Sequence, residues 1–175
     1  MKRLLAITLS IGVALAGGKM PEAAQSNDNQ VEMQIGQQEY QALQQQGEII
    51  SSSPYYAILN PIAQQIKRVA DPQYFHPFNF ILVHETGPNA FAVPGGNVYV
   101  TDSLMKFVQN REELAGVLCH ETSHDIHHDV LHLYQKAQRA STAYTIGDIL
   151  ANIATGGRYS QTIDTAASLG FQFQT

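Results

Sequence analysis

The segment from Arg111 to His132 constrains the fold of this chain most strongly, because it has the pattern of a single amphipathic helix. Asn110 is placed to cap the helix, and Glu113, three residues later, completes the spacing of a capping box. Apolar residues recur at helical spacing and predict one buried stripe, formed by Leu114, Val117, Leu118, Ile126 and Leu131. We expect the other elements to pack around this helix.

The same segment contains an H-E-x-x-H motif that runs from His120 to His124. Residues four apart on a helix lie one above the other, so His120 and His124 can direct two imidazoles at one ion. Glu121 projects beside them, where its carboxylate can reach a water molecule bound to that ion. Two neutral nitrogen ligands, an open coordination position and a nearby base are what a zinc-activated hydroxide requires. The motif therefore predicts one catalytic Zn²⁺ per chain.

An alternative interpretation is a solvated polar face or a loosely metal-buffering helix. His128 and His132 extend the two candidate ligands into a regular series with a spacing of four residues. However, residues 114–119 just before the motif are small and apolar, which places His120 at the edge of a hydrophobic core. Catalytic zinc helices need such packing to hold their ligands still, so this context favours the catalytic interpretation.

The composition limits the classes of partner. The chain carries 10 basic and 15 acidic residues, for a formal net charge of −5, which argues against nucleic acid or an anionic membrane. Cys119 is the only cysteine, so no internal disulfide can form. Because neighbouring positions on a helix face different ways, Cys119 and His120 are not expected to share an ion. A buried structural thiol is the prediction.

Residues 1–24 have the pattern of a secretory signal peptide. A short basic start precedes an apolar run that ends in an A-x-A cleavage pattern at Ala16, and a second cleavage site follows Ala24. The apolar run is too short for a stable membrane anchor, although an uncleaved anchor is the alternative. Gly17 stands where a lipoprotein would carry cysteine. We therefore predict an exported, periplasmic or extracellular protein without a membrane anchor after cleavage.

The next part of the chain is predicted to be helical. Residues 25–54 form a glutamine-rich leader, disordered over 25–30, and then an amphipathic helix from Val31. A second helix is predicted over 56–70, with Pro61 as an alternative first helical residue. Both helices are interpreted as packing elements.

After these helices the hydrophobic period changes to that of strands. The predicted elements are strands at 78–83, 90–93 and 98–101 and a short helix at 103–108. Residues 89–96 are the best candidate for an edge strand that pairs with an extended peptide, because Pro94 cannot lie in a central strand. An ordinary hairpin is the alternative for this stretch.

Residues 89–124 resemble the core of the M48 family of zinc metallopeptidases. Members carry an N-A-F-A-x-P-G-G stretch, an E-L-A-x-V-L run and then H-E-x-x-H, and the resemblance covers about residues 55–129. This combination is far more specific than the five-residue motif. It implies a zincin-like (gluzincin) α+β fold over 55–175, mainly helical with a small antiparallel sheet over the H-E-x-x-H helix. It also implies zinc and endopeptidase activity on proteins of the cell envelope.

The resemblance also assigns roles to individual residues. His120 and His124 would be zinc ligands, and Glu121 would be the general base. The substrate cleft would be lined by Asn89, Ala90, Phe91, Ala92, Pro94, Gly95 and Gly96.

The third zinc ligand of the family is a glutamate in an E-x-x-A-D helix, and this chain has no glutamate after Glu121. Residues 159–168 could be a degenerate version of that helix, with Asp164 as the ligand. A member truncated at its C-terminus, with the glutamate beyond residue 175, is the favoured explanation. The missing ligand leaves open a non-catalytic zinc-binding, chaperone-like envelope module. An apolar face over residues 146–153 predicts self-association if it is exposed.

Overall fold

A computed structural model describes residues 22–139 of the chain and the side chains of residues 25–136. The predicted cleavage site at Ala16, the Asp164 segment and the apolar face at 146–153 lie outside the described residues, whereas the second predicted cleavage site, at Ala24, lies within a described helix. Five α-helices and three strands occur within residues 22–139. They are α1 (Glu22–Gln46), α2 (Tyr56–Ala70), β1 (Asn79–Val83), β2 (Ala90–Val93), β3 (Asn97–Thr101), α3 (Asp102–Phe107), α4 (Arg111–Ile126) and α5 (Asp129–Arg139).

The three strands form a mixed sheet with β3 in the middle. β3 runs antiparallel to β2 but parallel to β1. The expectation of a purely antiparallel sheet is therefore wrong for the β1–β3 pair. The alternation of apolar residues sets which face of a strand is buried, but not the direction in which the next strand runs. The tight β2–β3 turn uses Gly95 and Gly96, with φ angles of 95° and 86° that favour glycine.

Helices cover both faces of this sheet, and alternate strand residues enter two separate cores. On one face, α1 and α5 pack on β2 and β3, in a cluster formed by Ile35, Val83, Phe91, Val93, Tyr99 and Val130. On the other face, α2 and α4 pack in a larger cluster that includes Leu59, Ile62, Phe78, Leu82, Val98, Val100, Leu114 and Leu118. The described part of the chain is thus an α+β structure, mostly helical, with a small sheet between helices.

The helix that carries the H-E-x-x-H motif begins where the sequence predicts. The Asn110 side chain accepts a hydrogen bond from the Glu113 N–H (2.8 Å). Glu113 reaches back to accept one from the N–H of Gln109 (2.9 Å). This reciprocal pair satisfies the N–H of Glu113 in the first helical turn and the N–H of Gln109 just before the helix.

The same helix ends earlier than predicted. α4 stops at Ile126, and His128 adopts a left-handed backbone conformation with φ of 56° before α5 starts at Asp129. A single helix over 111–132 is therefore wrong. The apolar pattern continues into α5, since Val130 and Leu131 are both buried. One residue in the left-handed backbone conformation thus changes the direction of the helix, while buried apolar residues continue on the far side of the turn.

The N-terminal helices also differ from prediction in their limits. α1 begins at Glu22, so residues 25–30 are helical instead of disordered, and Gln135 of α5 donates a hydrogen bond to Asp28 (3.2 Å). α2 begins at Tyr56 and contains Pro61, so the alternative start at Pro61 is wrong. Among residues 22–139, no helix combines the length and apolar character needed to cross a bilayer.

Candidate active site

The two histidines of the motif point at one location. Nε2 of His120 lies 3.2 Å from Nε2 of His124, and the ring planes are perpendicular. Two nitrogens that bind zinc at about 2.0–2.1 Å with a tetrahedral angle lie about 3.3–3.4 Å apart. The spacing of the imidazoles therefore fits one zinc ion held between them. The His120 side chain is exposed and that of His124 is half-buried.

Asp129 fixes the orientation of the second histidine. Its Oδ2 lies 2.6 Å from Nδ1 of His124. An ionised carboxylate can only accept, so Nδ1 of His124 donates to it, and in the neutral imidazole Nε2 is then the nitrogen with the lone pair, on the side of His120. Carboxylates in this position hold metal-binding histidines in the correct tautomer. The sequence pattern missed this contact, since residues five apart on a continuous helix do not face each other.

Glu121 lies on the side of α4 that faces the sheet. Its side chain is buried, with 7% of its surface exposed, and it accepts a hydrogen bond from the backbone N–H of Ala92 on β2. Burial raises the pKa of Glu121 to about 8, while the Ala92 hydrogen bond opposes that rise. A carboxylate that titrates near neutral pH is suited to taking up and releasing a proton.

The predicted cleft residues divide into two groups. Ala90 and Ala92 lie on the edge strand β2 and face the core shared with α4, and Asn89 precedes them. Phe91 faces the opposite core and stacks on Tyr99, with ring centroids 5.1 Å apart. The turn formed by Pro94, Gly95 and Gly96 is buried.

Other predictions around the motif meet different outcomes. Cys119 is exposed, so the prediction of a buried thiol is wrong. The buried stripe of α4 runs through Leu118 and Thr122, and Cys119 lies off that stripe.

Within residues 22–139, no three His, Cys, Asp or Glu side chains form a group that could hold a metal. The left-handed turn at His128 places His132 on a different helix from His120 and His124.

Three buried polar residues near the end of α4 escaped the sequence analysis. Glu32 and Asp125 have 0% and 2% of their surface exposed, and burial raises the pKa of each carboxyl group. Asp125 accepts a hydrogen bond from the Gly96 N–H (3.1 Å). The Tyr74 hydroxyl donates to Glu32 (3.1 Å). The sequence feature closest to an indication of this burial is that Glu32 follows Val31, which belongs to the apolar face of a glutamine-rich helix.

The amino-acid sequence of residues 57–175 matches the model of peptidase family M48. The chain belongs to peptidase family M48. It is 38% identical over 71 residues to the beta-barrel assembly-enhancing protease of Yersinia pestis, a match of 41% of this chain and 15% of that protein. It is 38% identical over 45 residues to the mitochondrial metalloendopeptidase OMA1 of Schizosaccharomyces pombe, covering 26% and 13% of the two chains.

A third M48 relative gives a longer match. The protease HtpX homolog of Thermoanaerobacter pseudethanolicus is 31% identical over 113 residues, which are 62% of this chain and 36% of that protein. The chain therefore spans only between about one eighth and about one third of the length of these relatives. All three relatives are named as proteases or peptidases, and OMA1 is named as a metalloendopeptidase.

Proposed function

We propose that this M48 chain is a zinc-dependent metalloendopeptidase of the zincin-like, gluzincin type. The observation that carries the proposal is the convergence of the His120 and His124 Nε2 atoms at 3.2 Å. Glu121 follows His120 directly on the same helix, and its buried carboxylate lies against the edge strand. Two neutral nitrogen donors beside a carboxylate base suit zinc better than they suit the harder cations that prefer oxygen.

The reaction would be hydrolysis of a peptide bond. His120 and His124 would hold the zinc ion, which would supply Lewis-acid polarisation of the scissile carbonyl and of the attacking water. The carboxylate of Glu121 takes one proton from that water as its oxygen bonds to the carbonyl carbon. Glu121 then delivers the proton to the leaving amine as the carbon–nitrogen bond breaks. The main chain of the edge strand at Ala90 is proposed to align an extended substrate by strand pairing, while the Ala92 N–H donates to Glu121.

The side chains of residues 25–136 offer no third ligand that would complete the zinc site. We propose that the third ligand comes from outside residues 22–139, with Asp164 as the candidate present in this sequence. The substrates are proposed to be proteins of the cell envelope, in the periplasm or outside the cell. The signal-peptide pattern of residues 1–24 and the similarity to a beta-barrel assembly-enhancing protease support that location.

Replacing the base tests the proposal. Glu121→Gln should lower cleavage of an unfolded protein such as casein by at least about 100-fold, the lower end of what a general base contributes. Zinc content measured by elemental analysis should stay at one ion per chain, because the two histidines are unchanged. Glu112→Gln is the matched control, since Glu112 is exposed in the first turn of the same helix.

Equal cleavage by Glu121→Gln and the unchanged chain would remove Glu121 from the mechanism. Stoichiometric zinc without any cleavage by the unchanged chain would instead support a non-catalytic zinc-binding, chaperone-like module.

A further inference from the structure

Glu32 is a fully buried carboxylate on α1, and its partners lie far from it in the sequence. Nδ1 of His128 lies 2.9 Å from one carboxylate oxygen of Glu32 and 3.0 Å from the other. The hydroxyl of Tyr74 donates to Glu32 as well (3.1 Å). A buried carboxylate is costly unless it is hydrogen-bonded in this way, so the contact with His128 is a specific arrangement.

His128 is the second of the two residues, His127 and His128, that separate α4 from α5. It is the one residue other than glycine with a positive φ (56°) within the described part of the chain. Its N–H donates to the carbonyl of Asp125 (3.0 Å), and its carbonyl accepts from the N–H of His132 (2.9 Å). A histidine holds this strained conformation only where surrounding contacts impose it, and the hydrogen bond to Glu32 is such a contact.

The turn at His128 determines where the next residue points. Asp129 begins α5, and its carboxylate meets Nδ1 of His124 at 2.6 Å. On a continuous helix, residues 124 and 129 would face different directions. The left-handed conformation of His128 therefore allows Asp129 to fold back on the histidine.

The backbone of α1 is held against the same region. A Cβ atom added to Gly36 would lie 2.2 Å from the carbonyl oxygen of Pro94, so α1 and the β2–β3 turn are in direct contact. Tyr74 connects the two, because its hydroxyl accepts from the Gly95 N–H (2.9 Å) and donates to Glu32. Glu32 thus lies in a rigid setting that can hold His128 in place.

We propose that Glu32 is a positioning residue of the zinc site, which acts by holding the His128 turn so that Asp129 orients His124. This inference rests on the proposed zinc site. It assigns α1, which precedes the residues matched by the family model, to the active-site architecture. The Glu32 carboxylate itself does not touch the metal or the substrate.

The test is the zinc affinity of the full chain, measured by competition with a chromophoric chelator. Loss of a group that orients a metal ligand weakens affinity by about 10–100-fold, and we expect this for both Asp129→Ala and Glu32→Ala. Glu32→Gln still offers an oxygen to the Nδ1–H of His128 and should keep most of the affinity. His128→Gly tolerates the left-handed turn but loses the ring, so it should behave like Glu32→Ala.

The double variant Glu32→Ala/Asp129→Ala separates a positioning role from a general structural one. If Glu32 acts through Asp129, the double variant should bind zinc no more weakly than Asp129→Ala alone. Fully additive losses would overturn the proposal. Glu39→Ala is the matched control, because it removes another buried carboxylate from α1 away from His128, and it should leave the affinity unchanged.

The outcomes distinguish this inference from the proposed function. No zinc binding by the unchanged chain would refute the zinc site and the inference with it. Zinc binding by the unchanged chain with equal affinity in Glu32→Ala and His128→Gly would refute only the inference. If Glu32→Ala does not fold, as judged by circular dichroism, then His128→Gly paired with Asp129→Ala decides the question.

Discussion

The buried side-chain hydroxyl of Thr101 connects the start of α3 to the loop that leads into the edge strand β2. It accepts hydrogen bonds from the N–H groups of Leu104 (3.0 Å) and Asn89 (2.9 Å), and it donates to the carbonyl of Gly87 (3.1 Å). It therefore caps α3 and fixes the loop that leads into β2. The sequence predicted the short helix, but the bonds from Thr101 to the loop depend on how β2 and β3 pair.

Thr101→Val should destabilise the protein although it preserves the side-chain volume. The buried N–H of Leu104 and the partly buried N–H of Asn89 lose their acceptor, and we expect the free energy of unfolding in urea to fall by about 2–3 kcal/mol. Thr101→Ser keeps the hydroxyl and serves as the control. Equal stability of the valine and serine variants would show that these hydrogen bonds contribute nothing net.

The buried carboxyl group of Glu39 should make the stability of the protein depend on pH. Its side chain is buried on α1, and burial raises its pKa above the ordinary value of 4.5. The folded state therefore binds this proton more tightly than the unfolded state. The contribution of Glu39 to stability is then fully present below about pH 4.5 and is lost as the pH rises through the folded-state pKa.

Glu39→Gln should remove the loss of stability that the Glu39 carboxyl group causes as the pH rises. We expect the variant to gain stability relative to the unchanged chain on going from pH 4 to pH 8, measured by urea unfolding at each pH. Glu112→Gln, on the exposed face of α4, is the matched control. A constant difference between Glu39→Gln and the unchanged chain at all pH values would contradict the raised pKa.

At the scale of whole elements, two helical glycines differ in what surrounds them. A Cβ on Gly36 of α1 would lie 2.2 Å from the Pro94 carbonyl oxygen, whereas nothing lies within 4 Å of a Cβ on Gly116 of α4. Intrinsic helix propensity favours alanine at both positions. The packing of α1 on the β2–β3 turn opposes it at Gly36 alone.

The two alanine substitutions should therefore change stability in opposite directions. Gly116→Ala should raise the free energy of unfolding by about 0.5–1 kcal/mol. Gly36→Ala should lower it by about 1–3 kcal/mol through overpacking. Chemical denaturation of both variants checks the pair, and a stabilising Gly36→Ala would mean that α1 does not lie against the turn.

At the scale of the molecule, the proposed zinc site joins elements that are remote in sequence. α4 carries both histidines, β2 contacts Glu121, and α5 supplies Asp129. An ion bound there stabilises only the folded arrangement, since the unfolded chain does not hold these groups together.

Zinc should therefore raise the midpoint temperature of unfolding, with saturation at one ion per chain. A free zinc concentration 100 times the Kd corresponds to about 2.7 kcal/mol of stabilisation. EDTA should reverse the shift and His120→Ala should abolish it, whereas Glu121→Gln should keep it. Thermal unfolding with added zinc measures the effect, and saturation at several ions per chain would instead indicate a metal-buffering protein.

The features that the sequence determined by itself are local ones. The start of α4 and the limits of β2 follow from residues within a few positions of each other, and both were predicted. The pairing of His120 with His124 is also local, because helix geometry alone places residues four apart on one face. The resemblance to M48, confirmed by the family match, rests likewise on one continuous stretch of sequence.

The tertiary structure decided the rest. Glu32 is buried where it meets His128, 96 residues away, and the local sequence does not predict that contact. The contact of Asp129 with His124 and the parallel pairing of β1 with β3 also depend on how separate elements pack. Hydrophobic periodicity reports which face of an element is buried, but the direction of a turn and the partner of a buried charge are set by the elements around them.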